Sequence, residues 1–74
     1  MRTLLDIYWE MDVEERHRKF VDTAAAAARA GVSQRTIELW IACGYIQAIR
    51  IGYKYRVDLA SLKAYLEGRV QELD

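Results

Sequence analysis

A mainly α-helical fold with a small β-hairpin is predicted, and three stretches of the 74-residue chain predict it. Residues 22–45 read as two short helices joined by a tight turn. Residues 46–57 alternate branched or aromatic residues with cations around a Gly-Tyr pair, as a hairpin does. Beyond Asp58, the residues Leu59, Leu62, Tyr65, Leu66, Val70 and Leu73 recur near helical spacing, so one stripe of a third helix faces a core.

The first twenty residues form an N-terminal helical extension, with the main domain expected over residues 21–74. Leu4, Leu5, Tyr8 and Trp9 share one helical face, which Ile7 and Met11 widen. This face can pack on the chain's own core or pair with a second copy. The homodimer is favoured, because so dense an apolar patch seldom stays exposed. A docking site for another protein is the remaining alternative. Asp12-Val13-Glu14-Glu15 resembles a capping signal, so a helix restarts there.

The helix pair carries its own punctuation. Gly31 ends the first helix, since the left-handed conformation costs glycine least. Ser33 caps the second by offering its hydroxyl to free first-turn amides. Val32 and Ile37 sit where a hydrophobic staple forms, and Gly44 ends the helix so that Tyr45 folds back onto Trp40. Ala27 is small enough for the helices to cross closely, with Ile37 packed into the crossing. This is the pattern of a helix-turn-helix.

In the hairpin, alternation puts Ile49, Ile51, Tyr55 and Val57 on one face and Arg50, Lys54 and Arg56 on the other, with Gly52 and Tyr53 at the tip. Asp58 caps the third helix, with Val57 and Leu62 as its staple, and Gly68 is placed to end it early.

Composition limits the function. The chain is 53% apolar, so a single modest core is within reach. Net charge is zero, but its distribution is uneven. Residues 23–66 hold six cations and two anions, while the flanking segments are each net acidic. A basic centre is what a DNA footprint on a neutral protein looks like, and ordinary solvated surface is the bland alternative. No apolar run is long enough to span a bilayer, and Asp6, Glu10 and Asp12 interrupt any signal-peptide layout. The lone Cys43 suits a reducing cytoplasm. His17 and Cys43 fall short of the ligands a structural zinc site needs, so no metal and no cofactor are expected. Nothing in the chain suggests a nucleophile–base pair, a phosphate loop or a carboxylate constellation, and an enzyme is not expected.

The GVSQRTIELWI core, the following CGYIQAIRIG, the YRV strand and the LKAYLE helix end resemble the small winged helix-turn-helix of the MerR-like superfamily, in its excisionase-like branch. The likeness covers Phe20 to Glu67. It implies a winged helix-turn-helix with an extra N-terminal helix, the second helix of the pair in the major groove of double-stranded DNA, and the wing on the backbone or minor groove. Relatives of that kind include small transcription regulators, excision factors in DNA recombination and the DNA-binding part of phage terminase small subunits.

With Ile37, Trp40 and Ile41 facing the core, the outer face of the second helix shows Gln34, Arg35, Glu38, Leu39 and Ala42. Arg35 suits guanine, Gln34 adenine, and Glu38 accepts from cytosine; otherwise Arg35 and Glu38 form a weak surface pair. Ser33, Thr36, Arg50, Lys54 and Arg56 are the candidates for backbone contact, against a merely solvated wing. Tyr53 either enters a groove or fills the turn. Leu39 and Glu38 also fit an adaptor that keeps the fold without DNA affinity. Trp40 has the spacing of a core residue.

Overall fold

Each helix of this protein begins at a side chain that can cap it. The computed structural model describes the backbone of residues 1–72 and the side chains through residue 68. Its order is α1 (Leu4–Glu10), α2 (Val13–Lys19), β1 (Phe20–Val21), α3 (Thr23–Ala30), α4 (Gln34–Ala42), β2 (Ala48–Ile51), β3 (Lys54–Asp58) and α5 (Leu59–Glu72). Thr3, Asp12, Asp22 and Ser33 each accept a backbone N–H from the first turn that follows. Asp6 returns the bond to Thr3, completing a capping box. The Thr3 amide, then its hydroxyl, hold the Asp6 carboxyl below the usual carboxylate range. At α5 the Asp58 carboxylate accepts from the Ala60 amide at 3.2 Å.

The turn between α3 and α4 forms as its residues require. Gly31 has φ +72, and its N–H and that of Val32 both close on the Ala27 carbonyl. A methyl group added at Gly31 would meet open space, so a side chain there brings strain and no clash. Gly31→Val should therefore cost more than ~1 kcal/mol by forcing a branched residue into that conformation. Gly31→Asn should recover most of the loss, because asparagine tolerates it. Urea denaturation of both variants checks this, and equal losses would show that left-handed strain is not the cause.

Ala27 and Ile37 meet in the core as expected, joined by Ala26, Trp40, Ile46, Val57 and Leu62. Val32 packs against this cluster, as a staple residue should. Tyr45 departs slightly from its expected place. Its amide donates to the Trp40 carbonyl, but its ring stacks on Tyr65 at 5.4 Å, while Tyr65 meets Trp40 edge-on.

The three strands form one antiparallel sheet in the order β1-β3-β2. The two-residue strand β1 has no counterpart among the expected elements; it pairs Phe20 with Asp58 and Val21 with Val57. It also crosses the boundary expected between residues 20 and 21.

The hairpin has the expected strands but not the expected faces. Ile49 lies opposite Arg56, Arg50 opposite Tyr55, and Ile51 opposite Lys54. Directly opposed residues share a face. Ile49 and Ile51 therefore stand with Lys54 and Arg56, while Arg50 stands with Tyr55 and Ala48 with Val57. The cause is the two-residue turn at Gly52-Tyr53: alternation does not run through it, and odd positions on one strand face with even positions on the other. Gly52 at φ +65 supplies the positive first position that such a turn needs.

Both faces of the sheet are covered, so neither is a purely cationic surface. One face joins Val21, Ala48 and Val57 to the helices α3, α4 and α5. The other buries Tyr8, Phe20 and Ile49, with Leu4, Met11 and Ile51 packed around them. Of the four residues expected at a partner interface, Tyr8 is buried and Leu4 half-buried within their own chain; Leu5 and Trp9 are exposed. The sheet's second face thus covers Tyr8 and Leu4, as packing on the chain's own core would have it, and leaves Leu5 and Trp9 open. Helix α5 runs on through Gly68 to Glu72, so that glycine does not end it; Leu73 lies outside the described residues. The Val70 side chain also lies outside the described ones.

Candidate nucleic-acid interface

Between the start of α3, one edge of α4 and the wing lies an open cleft of about 520 Å³. Asp22, Thr23 and Ala24 line it from α3, Gln34 and Glu38 from α4, and Arg50, Tyr53, Lys54, Tyr55 and Arg56 from the hairpin. Three cations thus face two carboxylates. One carboxylate is already engaged, since Asp22 accepts the Ala25 amide at 2.8 Å. The local balance favours an anion.

The outer face of α4 is exposed as the spacing implies, with Gln34, Arg35, Glu38, Leu39 and Ala42 all open to solvent. Ile37 and Trp40 are buried beneath them, which fixes the helix's rotation. Gln34 accepts a hydrogen bond from the Thr23 hydroxyl at 3.3 Å, so the first helix of the pair orients this side chain. Arg35 is exposed but outside the cleft lining, one residue round the helix. Ser33 and Thr36 share a hydroxyl–hydroxyl bond of 3.0 Å at the α4 cap, while Ser33 accepts the Thr36 amide at 3.1 Å. Their hydroxyls sit beside the amides that a helix N-terminus offers to anions.

On the wing, Tyr53 at the tip is 90% exposed. Arg50 donates from Nε to the Gly52 carbonyl at 3.2 Å and lies over the Tyr55 ring at 5.6 Å. This braces the turn and holds the guanidinium close to the tip. Lys54 and Arg56 emerge from the other face of the hairpin, yet all three cations border the same cleft. The cleft, and not a shared strand face, brings them together.

A second, smaller cleft of about 270 Å³ adjoins the first, and Asp22 and Arg56 line both. His17 of α2 lines it with Tyr8, Phe20, Val21 and Ala25. In the sequence His17 has the look of a solvated residue in a charged run; no local spacing signals its approach to Arg56 on a distant strand.

Residues 20–70 match the model of a family described as a helix-turn-helix domain. The chain belongs to this helix-turn-helix family. The match spans most of the chain and includes β1, α3, α4 and the hairpin. No curated protein and no solved structure matches the chain. Membership in the helix-turn-helix family supports DNA binding, and the five helices with a three-stranded antiparallel sheet have the architecture of a winged helix-turn-helix. Among the described residues, no helix is long and apolar enough to cross a membrane.

Proposed function

We propose that this helix-turn-helix protein is a non-catalytic binder of double-stranded DNA, acting as a small transcription regulator or an excisionase-like recombination factor of the MerR-like superfamily. In this reading α4 enters the major groove, with Gln34, Arg35 and Glu38 toward base edges. Ser33, Thr36, Arg50, Lys54 and Arg56 meet the backbone, and Gly52 and Tyr53 carry the wing tip to it. The observation that carries the proposal is the placement of three wing cations around the same cleft as the exposed edge of α4. A polar helix face supplies base-edge donors and acceptors, and the adjacent cations supply sequence-independent affinity.

The test is duplex affinity against salt. Four phosphate contacts predict a log–log slope of about −3.6, roughly a hundredfold loss between about 50 and 200 mM salt. Lys54→Ala should weaken all sequences alike and reduce the slope by about one. Arg35→Ala should instead cost ~1–3 kcal/mol on the preferred site and relax preference at one base. A flat salt response removes the DNA-binding reading. Unchanged preference in Arg35→Ala removes α4 from the groove.

The exposure of Leu39, at 58%, in the middle of α4's outer face favours a second reading. A protein-interaction adaptor would use that leucine as an apolar anchor, with Leu5 and Trp9 as a further patch. A packaging component of the terminase small subunit kind would combine both surfaces, and pairing of two copies through Leu5 and Trp9 would present two helix-turn-helix units to two half-sites. Loss of partner capture with retained duplex binding in Leu39→Ser would support the adaptor role alongside DNA binding.

A further inference from the structure

We propose that His17 and Arg56 together form a phosphate-binding site that extends the duplex footprint from the wing onto the N-terminal helices. The proposal rests on the DNA-binding reading above and adds a contact outside the helix-turn-helix pair and its wing.

Arg56 stands at the junction of two clefts. One side faces Gln34, Glu38 and the wing; the other faces His17. The hairpin register is what turns it this way, because Arg56 shares the Ile49 face, the one that the N-terminal helices cover. The neighbouring cations are differently engaged. Arg16 donates to the carbonyls of Tyr8 and Trp9, each at 2.9 Å, and lies over both rings. Lys19 pairs with Glu15 at 3.2 Å. Arg50 is held by Gly52. Among the described residues, the side chains of His17 and Arg56 have no hydrogen-bond or ion-pair partner. A guanidinium and an imidazole thus border the same small cleft, neither of them bonded to an acceptor of the chain.

The groups around His17 are Tyr8 from α1, Arg56 from β3 and Asp22 at the start of α3, with Phe20, Val21 and Ala25 supplying apolar wall. On its own helix Glu14 lies one turn back, and Arg16 and Arg18 flank it in sequence. Asp22 is the one carboxylate lining this cleft, and it already accepts the Ala25 amide. A phosphate oxygen placed between the imidazole and the guanidinium would accept from both, and its charge favours the imidazolium over the neutral ring. Duplex binding then takes up a proton at His17. The contact is present in mild acid and fades as the ring loses its proton.

The chain has one histidine, but an α-amino group also changes charge in the neutral range, so substitutions at His17 assign the response. The experiment measures full-chain affinity for a mixed-sequence duplex at fixed salt, at about pH 6 and about pH 8, where ordinary carboxylates stay ionised. The unaltered protein should bind about five- to tenfold tighter at the lower pH, within the tenfold per pH unit that uptake of one proton allows. His17→Gln should bind with the weaker affinity at both values. His17→Arg should bind with the tighter affinity at both, which a merely structural role for His17 would not produce. A pH response that survives undiminished in His17→Gln, or none in the unaltered protein, overturns the site while leaving the DNA-binding reading intact. No duplex binding at either pH overturns both.

Discussion

Trp40→Ala should unfold the protein or leave it only marginally folded. Trp40 is 6% exposed, in the cluster that joins α3, α4, α5 and the sheet. Its ring meets Tyr65 edge-on at 5.0 Å, and Tyr65 in turn stacks on Tyr45. Removing the indole takes the largest side chain out of this cluster and leaves a cavity beside Tyr65. Such truncations cost ~3–5 kcal/mol. Small domains hold roughly 5 kcal/mol of total stability or little more. Urea denaturation followed by circular dichroism is the measurement, with Trp40→Phe as the milder comparison. A Trp40→Ala protein that melts normally and has lost only duplex affinity would make Trp40 a surface contact and refute its core role.

Tyr8→Ala should be nearly as damaging, at about 3 kcal/mol for the loss of a buried aromatic ring. Tyr8 meets Phe20 edge-on at 5.1 Å, and the Arg16 guanidinium lies over its ring at 5.2 Å. With Ile49, Tyr8 and Phe20 make the sheet's second core. If the N-terminal segment were an appendage, the substitution would leave the denaturation midpoint unchanged. A fall in that midpoint, independent of protein concentration, shows α1 stabilising its own chain. A fall that appears only on dilution would show instead that Tyr8 acts through a second copy.

What the residues reveal on their own is local. The helix pair is legible because Gly31, Ser33 and Gly44 act within a few positions of themselves, through caps and turns that need no distant partner. The exposed set on α4 follows from helical period once Ile37 and Trp40 are placed inside. Candidate base-facing residues are therefore legible as a face, though not their relation to the wing. Arg35 lies outside the cleft that Gln34 and Glu38 line, a difference set by which edge of α4 faces the wing.

The departures from expectation have two kinds of cause, a long-range pairing and a local property misjudged. The strand Phe20–Val21 is too short to show alternation and exists because β3 offers it an edge. The split of the wing cations comes from one property of the turn: two residues at Gly52-Tyr53 reverse parity between the strands. Gly68 weakens a helix, yet α5 continues through it, because one glycine costs only about 1 kcal/mol and adding a residue to a formed helix is far easier than starting one.

The sequence by itself determined the helix starts, the turn at Gly31, the hairpin and the polar face of α4, since each is set by conformational preferences within one or two turns of chain. Only the tertiary structure decided which layer covers each side of the sheet, where α1 buries Tyr8, and that His17 and Arg56 border one cleft. Those outcomes depend on strand register and on which apolar face covers which. Both are chosen by the burial of distant surfaces against each other, a quantity that no local window of residues contains.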